Sequence, residues 1–540
     1  MHAGYDYIIV GAGSAGCVLA NRLTEDEDAT VLLLEAGGRD DHPYVQIPLG
    51  LGKLQQHKMF DWGYMTEPEP HLNDRRLTLL RGKVLGGSSS INVMAYTRGH
   101  RADFDRWAQQ GATGWSYADA LPYFKRSESW EHGENPWRGG SGPLGTQGNH
   151  DTDPLFDAWR EAGRLAGWPV TDDPNGADLV GFGDSQWTIR NGRRASASAA
   201  YLRPVLQRRN LTLRTDARAT RVTLRGTHAT GVEFVHQGTT VHAEAKREVI
   251  LCGGVFNSPQ LLMLSGIGPA GHLKEMGIAP LIDLPVGRNL RDHLQVRLRW
   301  SRLHSGPFRR LMRADRAAVA MAQAWLFGTG PATMLPGALK AFLRTQPEFD
   351  APDIEFLFPA APLDAWIWFP GVTPPYDDTF GVHPVLLHPR SQGEVTLRSA
   401  DPAALVRIVN NFLADPADGA TLRAAFRLAE DLAYKPPMDA FRGKRLAPGS
   451  ALKTDAEIDD WVRNNVITVN HPLGTCAMGG GPDAVLGPDL KVRGTEGLRV
   501  VDAAALPDMP SAHINAIVMM LAERASDLIR SRQPLAALNV

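Results

Sequence analysis

The stretch that most constrains this chain lies at its start. Tyr7-Ile8-Ile9-Val10 is an apolar run of strand type that feeds directly into Gly11-Ala12-Gly13-Ser14-Ala15-Gly16. A strand ending in this glycine spacing and opening a helix is the turn that receives a dinucleotide pyrophosphate. Gly11 permits the tight turn, Gly13 lets backbone approach the phosphates, and Gly16 lets the helix pack closely on the strand. Free amides at the helix start, at Ser14 and Ala15, then face the phosphate charge.

The predicted helix, through Val18, Leu19, Ala20 and Leu23, leads to a second apolar run, Val31-Leu32-Leu33-Leu34, closed by Glu35 and Ala36. Glu35 stands about 20 positions after the glycines, where a carboxylate accepts hydrogen bonds from a ribose diol. The turn by itself suits NAD and FAD equally.

The rest of the composition narrows the class. With 540 residues the chain can build more than one core. Its 57 basic and 59 acidic residues are scattered, and basic runs such as Arg309-Arg310 are short, so nothing points to nucleic acid. Cys17, Cys252 and Cys476 are far apart, which argues against a disulfide framework or a metal site. No basic, apolar leader precedes the first strand, and no apolar run approaches the roughly 20 residues that cross a bilayer. The expectation is a soluble cytoplasmic protein without a transmembrane segment, with a peripheral place at the inner membrane as the alternative. Oligomeric state is not legible.

Arg81-Gly82-Lys83-Val84-Leu85-Gly86-Gly87-Ser88-Ser89-Ser90-Ile91-Asn92-Val93-Met94 combines close backbone approach with many donors. Together with the first turn it resembles the glucose-methanol-choline (GMC) oxidoreductase family, whose first signature looks like residues 81–98. Residues 253–268 and 285–293 look like further family segments, with Val255 where the family has a small residue. The members it is most similar to are bacterial choline, alcohol and sorbose dehydrogenases.

The resemblance implies FAD, with Val84, Gly87, Asn92, Val93, Met94 and Ala95 at the flavin, Val222 at the adenine end, and Asp502 and Ala503 completing the site. Some members tether flavin through a histidine where this chain has Ile91, so the resemblance implies non-covalent FAD. It also implies a mixed α/β fold. A Rossmann-like FAD-binding domain (1–150, 195–293 and 465–540) would be interleaved with a substrate domain (151–194 and 294–464) built on an antiparallel sheet with helices.

Several local readings fill this frame. Residues 196–206 read as helical. Residues 211–214, 219–224, 231–235, 240–245 and 248–251 read as successive strands. Residues 353–358, 384–387 and 394–398 read as strands of the substrate sheet. The aromatic loop Trp366-Ile367-Trp368-Phe369-Pro370 would gate an apolar pocket or form a dimer contact.

Oxidising an alcohol through a flavin requires removal of the hydroxyl proton and transfer of hydride from the same carbon to flavin N5. A neutral imidazole suits the first task, its ordinary pKa of about 6.5 lying near working pH. By the resemblance that base is His471, in Asn470-His471-Pro472-Leu473-Gly474-Thr475. A partner that hydrogen-bonds the substrate oxygen falls at His513 when the alignment is anchored on Glu523, ten positions on. A slip of two would make it Asn515, which otherwise contacts the flavin. His293, beside Asp292, reads as structural. Glu355, Trp366 and His388 are candidate substrate contacts, and no metal is expected.

The implied activity converts an alcohol to an aldehyde or ketone and passes electrons to an acceptor (dioxygen, a quinone or a dye-like molecule). An oxidase producing hydrogen peroxide and a hydroxynitrile-lyase-type enzyme on the same scaffold are the alternatives.

Overall fold

The computed structural model describes residues 4–362 and 364–540. The strand Gly4–Val10 lies parallel to Val31–Leu34 on one side and to the end of Thr239–Leu251 on the other. Leu211–Arg214 extends the sheet beyond Val31–Leu34, and Leu498–Val500 pairs with Thr239–Leu251, both also parallel. Every residue of Val31–Leu34 and of Leu498–Val500 is buried. The continuous apolar run Val31–Leu34 belongs to a strand covered on both faces, whereas in Leu498–Val500 the buried middle residue is Arg499, paired with Glu248. The helix Ser14–Leu23 follows the first strand directly and buries Cys17, Val18, Leu19, Ala20 and Leu23.

Thr239–Leu251 is one strand where the sequence suggests two. No turn-forming residue interrupts it. Its first half pairs antiparallel with His228–His236, and its second half crosses into the parallel sheet. Residues 196–206 also depart from expectation. They form a π-turn, Ser198–Leu202, and a short 3₁₀ turn, Arg203–Val205, because Pro204 cannot donate to a continuing α-helix.

A second, eight-stranded sheet is antiparallel. Its path runs Arg442–Ala447, Leu298–Arg302, Thr379–Leu386, Ile354–Leu357, Leu339–Leu343, Gly181–Asp184. Alternation along these strands sends Leu339, Ala341, Ile354, Phe356, Phe380 and Val382 into a core shared with Trp159 and Phe426, from the helices Pro154–Leu165 and Pro416–Ala433. The opposite face carries Lys340, Phe342, Glu355 and Val385. Residues 394–398 do not extend this sheet. Glu394–Thr396 pairs with Arg407–Val409 in a separate ribbon, and Val395 and Ile408 pack against Tyr64, Phe256 and Leu290. That apolar patch, on segments flanking the first sheet, draws the ribbon away.

The closing helix, Asn515–Ile529, is buried nearly all round. Near its middle Glu523, with no exposure, accepts from Arg22 Nη2 at 2.8 Å, Arg126 Nε at 2.7 Å and the Tyr201 hydroxyl at 2.9 Å. Those partners tie it to Ser14–Leu23, to Tyr117–Ser127 and to the π-turn. Among the described residues, no helix is long and apolar enough to cross a membrane.

Candidate active site

Three helices begin at one cavity. Ser14, Gly254 and Asn515, the first residues of Ser14–Leu23, Gly254–Leu264 and Asn515–Ile529, all border it. Helix starts carry unpaired amides and the positive end of the macrodipole, so the cavity is arranged for an anion. Ser14 Oγ donates to Asn515 Oδ1 at 2.7 Å, linking the first and last of these helices. Asp502 occupies the start of the second: Oδ2 accepts from Gly254 N at 2.8 Å and from Ser258 Oγ at 2.6 Å.

Between them the wall is bare backbone. A Cβ on Gly87 would stand 2.8 Å from Gly13 Cα, one on Gly11 would meet the Cys252 carbonyl oxygen at 2.4 Å, and one on Gly82 would meet Gly87 at 2.3 Å. Gly16 does not border the cavity; its bare Cα lets the helix lie against the Gly11 carbonyl, where a Cβ would come within 1.9 Å. Glu35 borders the cavity with its oxygens accepting from Ala12 N at 2.9 Å and Gly37 N at 2.8 Å. Burial pushes its pKa up to about 7, against the pull of those amides. A backbone cradle for phosphates, a carboxylate for a ribose and three helix starts fit FAD.

At the other end His471 and His513 meet with ring centroids 4.7 Å apart. The backbone amide of His471 donates to Asp292 Oδ1 at 2.7 Å, and that of His513 to Thr97 Oγ1 at 2.8 Å, so both rings hang from fixed backbone. His471 Nδ1 lies 3.0 Å from His293 Nδ1. His293 Nε2 faces the carbonyl oxygens of Leu387 at 3.0 Å and Pro510 at 3.2 Å. Carbonyls only accept, so Nε2 of His293 carries its proton, and burial, which lowers its pKa to about 3, keeps the ring neutral. Nδ1 of His293 therefore accepts from His471 Nδ1–H. His471 is left with an unprotonated Nε2 that has no hydrogen-bond partner among the described residues.

His471 is itself held well below the ordinary histidine range by burial first, then by His513, His293 and Arg81. His513 Nε2 stands 3.0 Å from Glu355 Oε1. Burial pushes the Glu355 carboxyl up, but the charge and hydrogen bond of His513, with Lys340, more than cancel it, so the group is a carboxylate. Two neighbouring imidazoles thus have different surroundings: one neutral with a bare nitrogen, the other backed by an anion.

The cavity brings together Gly11, Gly13, Ser14, Ala15, Glu35, Ala36, Gly87, Asn92, Val93, Ala95, His471, Asp502, Ala503, His513 and Asn515. Val84 and Met94 are fully buried behind it. Val222 is buried away from it, and Ala217, Arg218 and Ala219 of the same strand border it instead. Glu355 reaches it only through His513. Trp366 is 42% exposed and donates to the Pro374 carbonyl. His388 braces the segment before His513, with its ring nitrogens 3.0 Å from Met509 O and from Ser511 Oγ. Sequence reasoning missed the contact of His293 with His471 and the place of Arg81 on the wall; the Asp292-His293 pair was the available signal. Among the described residues no cluster could hold a metal ion.

The sequence pattern described as GMC oxidoreductase matches residues 5–295 and, in its C-terminal part, 389–522. The chain belongs to the GMC oxidoreductase family. As a GMC oxidoreductase it is an FAD-dependent enzyme that oxidises alcohols. It is 44% identical to an oxygen-dependent choline dehydrogenase of Sinorhizobium fredii, over 99% of this chain and 97% of that protein. A protein of the same name from Sinorhizobium medicae is 43% identical over the same shares. Among solved structures it is similar to pyridoxine 4-oxidase from Mesorbium loti, with a TM-score of 0.87 and 31% identity over 98% of this chain and 100% of that one. An FAD-dependent oxidoreductase from Chaetomium thermophilum matches with a TM-score of 0.88 and 26% identity, over 98% and 99%.

Ile91 borders the cavity and offers the flavin only hydrocarbon. Acid precipitation of this GMC oxidoreductase is expected to leave its flavin in the supernatant; a yellow pellet that survives washing would contradict non-covalent binding.

Proposed function

We propose that His471 Nε2 takes the hydroxyl proton of a primary alcohol while His513, backed by Glu355, holds the alcohol oxygen, and that the product is the aldehyde. The observation that carries this is the chain of nitrogens running from two carbonyls through His293 to His471. It supports a single tautomer with the bare nitrogen on the cavity side. FAD, when bound, supplies the acceptor for the hydride leaving the alcohol carbon.

The residues divide the work. Asp292 and Thr97 fix the backbone of the two histidines, and His293 fixes which His471 nitrogen is basic. The Glu355 carboxylate accepts from His513 Nε2–H and fixes the tilt of that ring, which sets it against the alcohol oxygen. Glycines 11, 13, 82 and 87 with Glu35 would hold the dinucleotide. The first sheet would then serve as the cofactor domain and the second sheet as the substrate domain, over the discontinuous ranges expected from the sequence.

The test is rapid mixing of anaerobic holoenzyme with primary alcohols while the flavin band is followed. Because His471 is held well below its ordinary pKa of about 6.5, the base is already free at neutral pH. The bleaching rate is expected to be flat from about pH 9 to about pH 6.5 and to fall only in more acid solution. An acid limb centred near 7 would remove His471 as the base. Admitting air to the reduced enzyme and measuring hydrogen peroxide separates an oxidase from a dehydrogenase.

A further inference from the structure

We infer that the substrate end accepts an uncharged alcohol with an apolar substituent and turns away quaternary ammonium alcohols, although the curated relatives are named for choline. This rests on the His471 and His513 reading above.

A quaternary ammonium group has no N–H to donate. In a buried site it is stabilised by a free carboxylate or an open aromatic face. Beside the histidines, among the described residues, the carboxylates and aromatic rings already have partners of this chain. The two carboxylates that reach the histidines already have partners: Glu355 accepts from His513 through Oε1 and has its charge balanced by buried Lys340, and Asp292 accepts from the His471 amide and the Thr468 hydroxyl. The charged side chain that borders the cavity next to Asn470 and His471 is a cation, Arg81, which bonds the Asn470 carbonyl and contributes to lowering the His471 pKa. Of the aromatic rings on the cavity wall, Trp62 has its face taken by cations of this chain, Lys83 Nζ at 4.9 Å and Arg218 Cζ at 5.6 Å from its centroid, and Phe256 is buried and packs edge-on with Tyr64.

Apolar side chains share the wall with the histidines. Ile91, Val93 and Ala95 border the cavity from one segment, and Val469 borders it two residues before His471. Val469 packs on the buried cluster of Leu179, Phe342, Val385 and Leu387 from the second sheet. On that sheet Gln295 lies across from Val385, which in turn pairs with Glu355, so all three share a face. The amide oxygen of Gln295 is buried without a partner. This face therefore carries a neutral spare acceptor in Gln295.

The discriminating probes are choline and its carbon isostere 3,3-dimethylbutan-1-ol, equal in shape and different by one charge. Each is mixed anaerobically with holoenzyme, and the reduction rate constant is divided by the dissociation constant. The isostere is expected to exceed choline by at least about 100-fold, as for a buried group left without its partner. Gln295→Glu, checked for flavin content, is expected to move the ratio toward choline by about 10-fold or more through the added charge. Choline equal to or better than the isostere would overturn this inference and leave alcohol oxidation standing. Failure of both probes and of a wider alcohol panel to bleach the flavin would overturn the catalytic reading itself.

Discussion

Replacing His471 by alanine is expected to slow flavin reduction by about 10²–10⁴-fold, the span that a positioned general base contributes. Flavin content is expected to survive, because the residue is anchored through its backbone amide on Asp292 and the phosphate cradle lies elsewhere. The measurement is single-turnover bleaching at saturating alcohol, which isolates the step in which the proton and hydride leave. A loss of less than about 10-fold would transfer the role of base to His513.

The second large effect concerns stability. Glu523→Ala is expected to cost about 3–5 kcal/mol, the range for removing one partner of a buried ion pair. The loss leaves Arg22, Arg126 and the Tyr201 hydroxyl without their shared acceptor. Arg126 keeps Asp527 at 2.9 Å, which places the expected cost toward the lower end of that range. Urea unfolding followed by tryptophan fluorescence, together with flavin release, would measure it. A change below about 1 kcal/mol would mean that packing alone holds the closing helix.

These two residues mark how far the sequence could be read. The turn was legible because one of its demands is local: a Cβ at Gly16 collides with the Gly11 carbonyl of the same motif, so the spacing itself carries that signal. His471 and His513 were legible through motifs, and they meet across more than forty residues of chain. His293 was visible only as a histidine beside an aspartate. Its purpose depends on the Leu387 and Pro510 carbonyls, brought together by two distant loops that no local pattern reports.

Glu355 illustrates the same limit. Strand alternation allowed it to face either way, and the choice was made by His513, 158 residues later. Val222 and Val84 fit their strand and turn, but their positions in the sequence do not say which face borders the cavity. The joined strand Thr239–Leu251 was misdivided because strand patterning does not reveal when a strand changes partners without turning.

The closing helix also sets an order of events during synthesis. The glycine turn, the first helix and most of both sheets emerge from the ribosome early, and domains fold as they emerge. His471, Leu498–Val500, His513 and the helix start at Asn515 come late, and the helix must enter a space otherwise lined by apolar surface. Until then the early chain has a cradle with one side open. The closing helix is the bolt on that cradle: without its Asn515 end, the wall that faces the phosphates is incomplete.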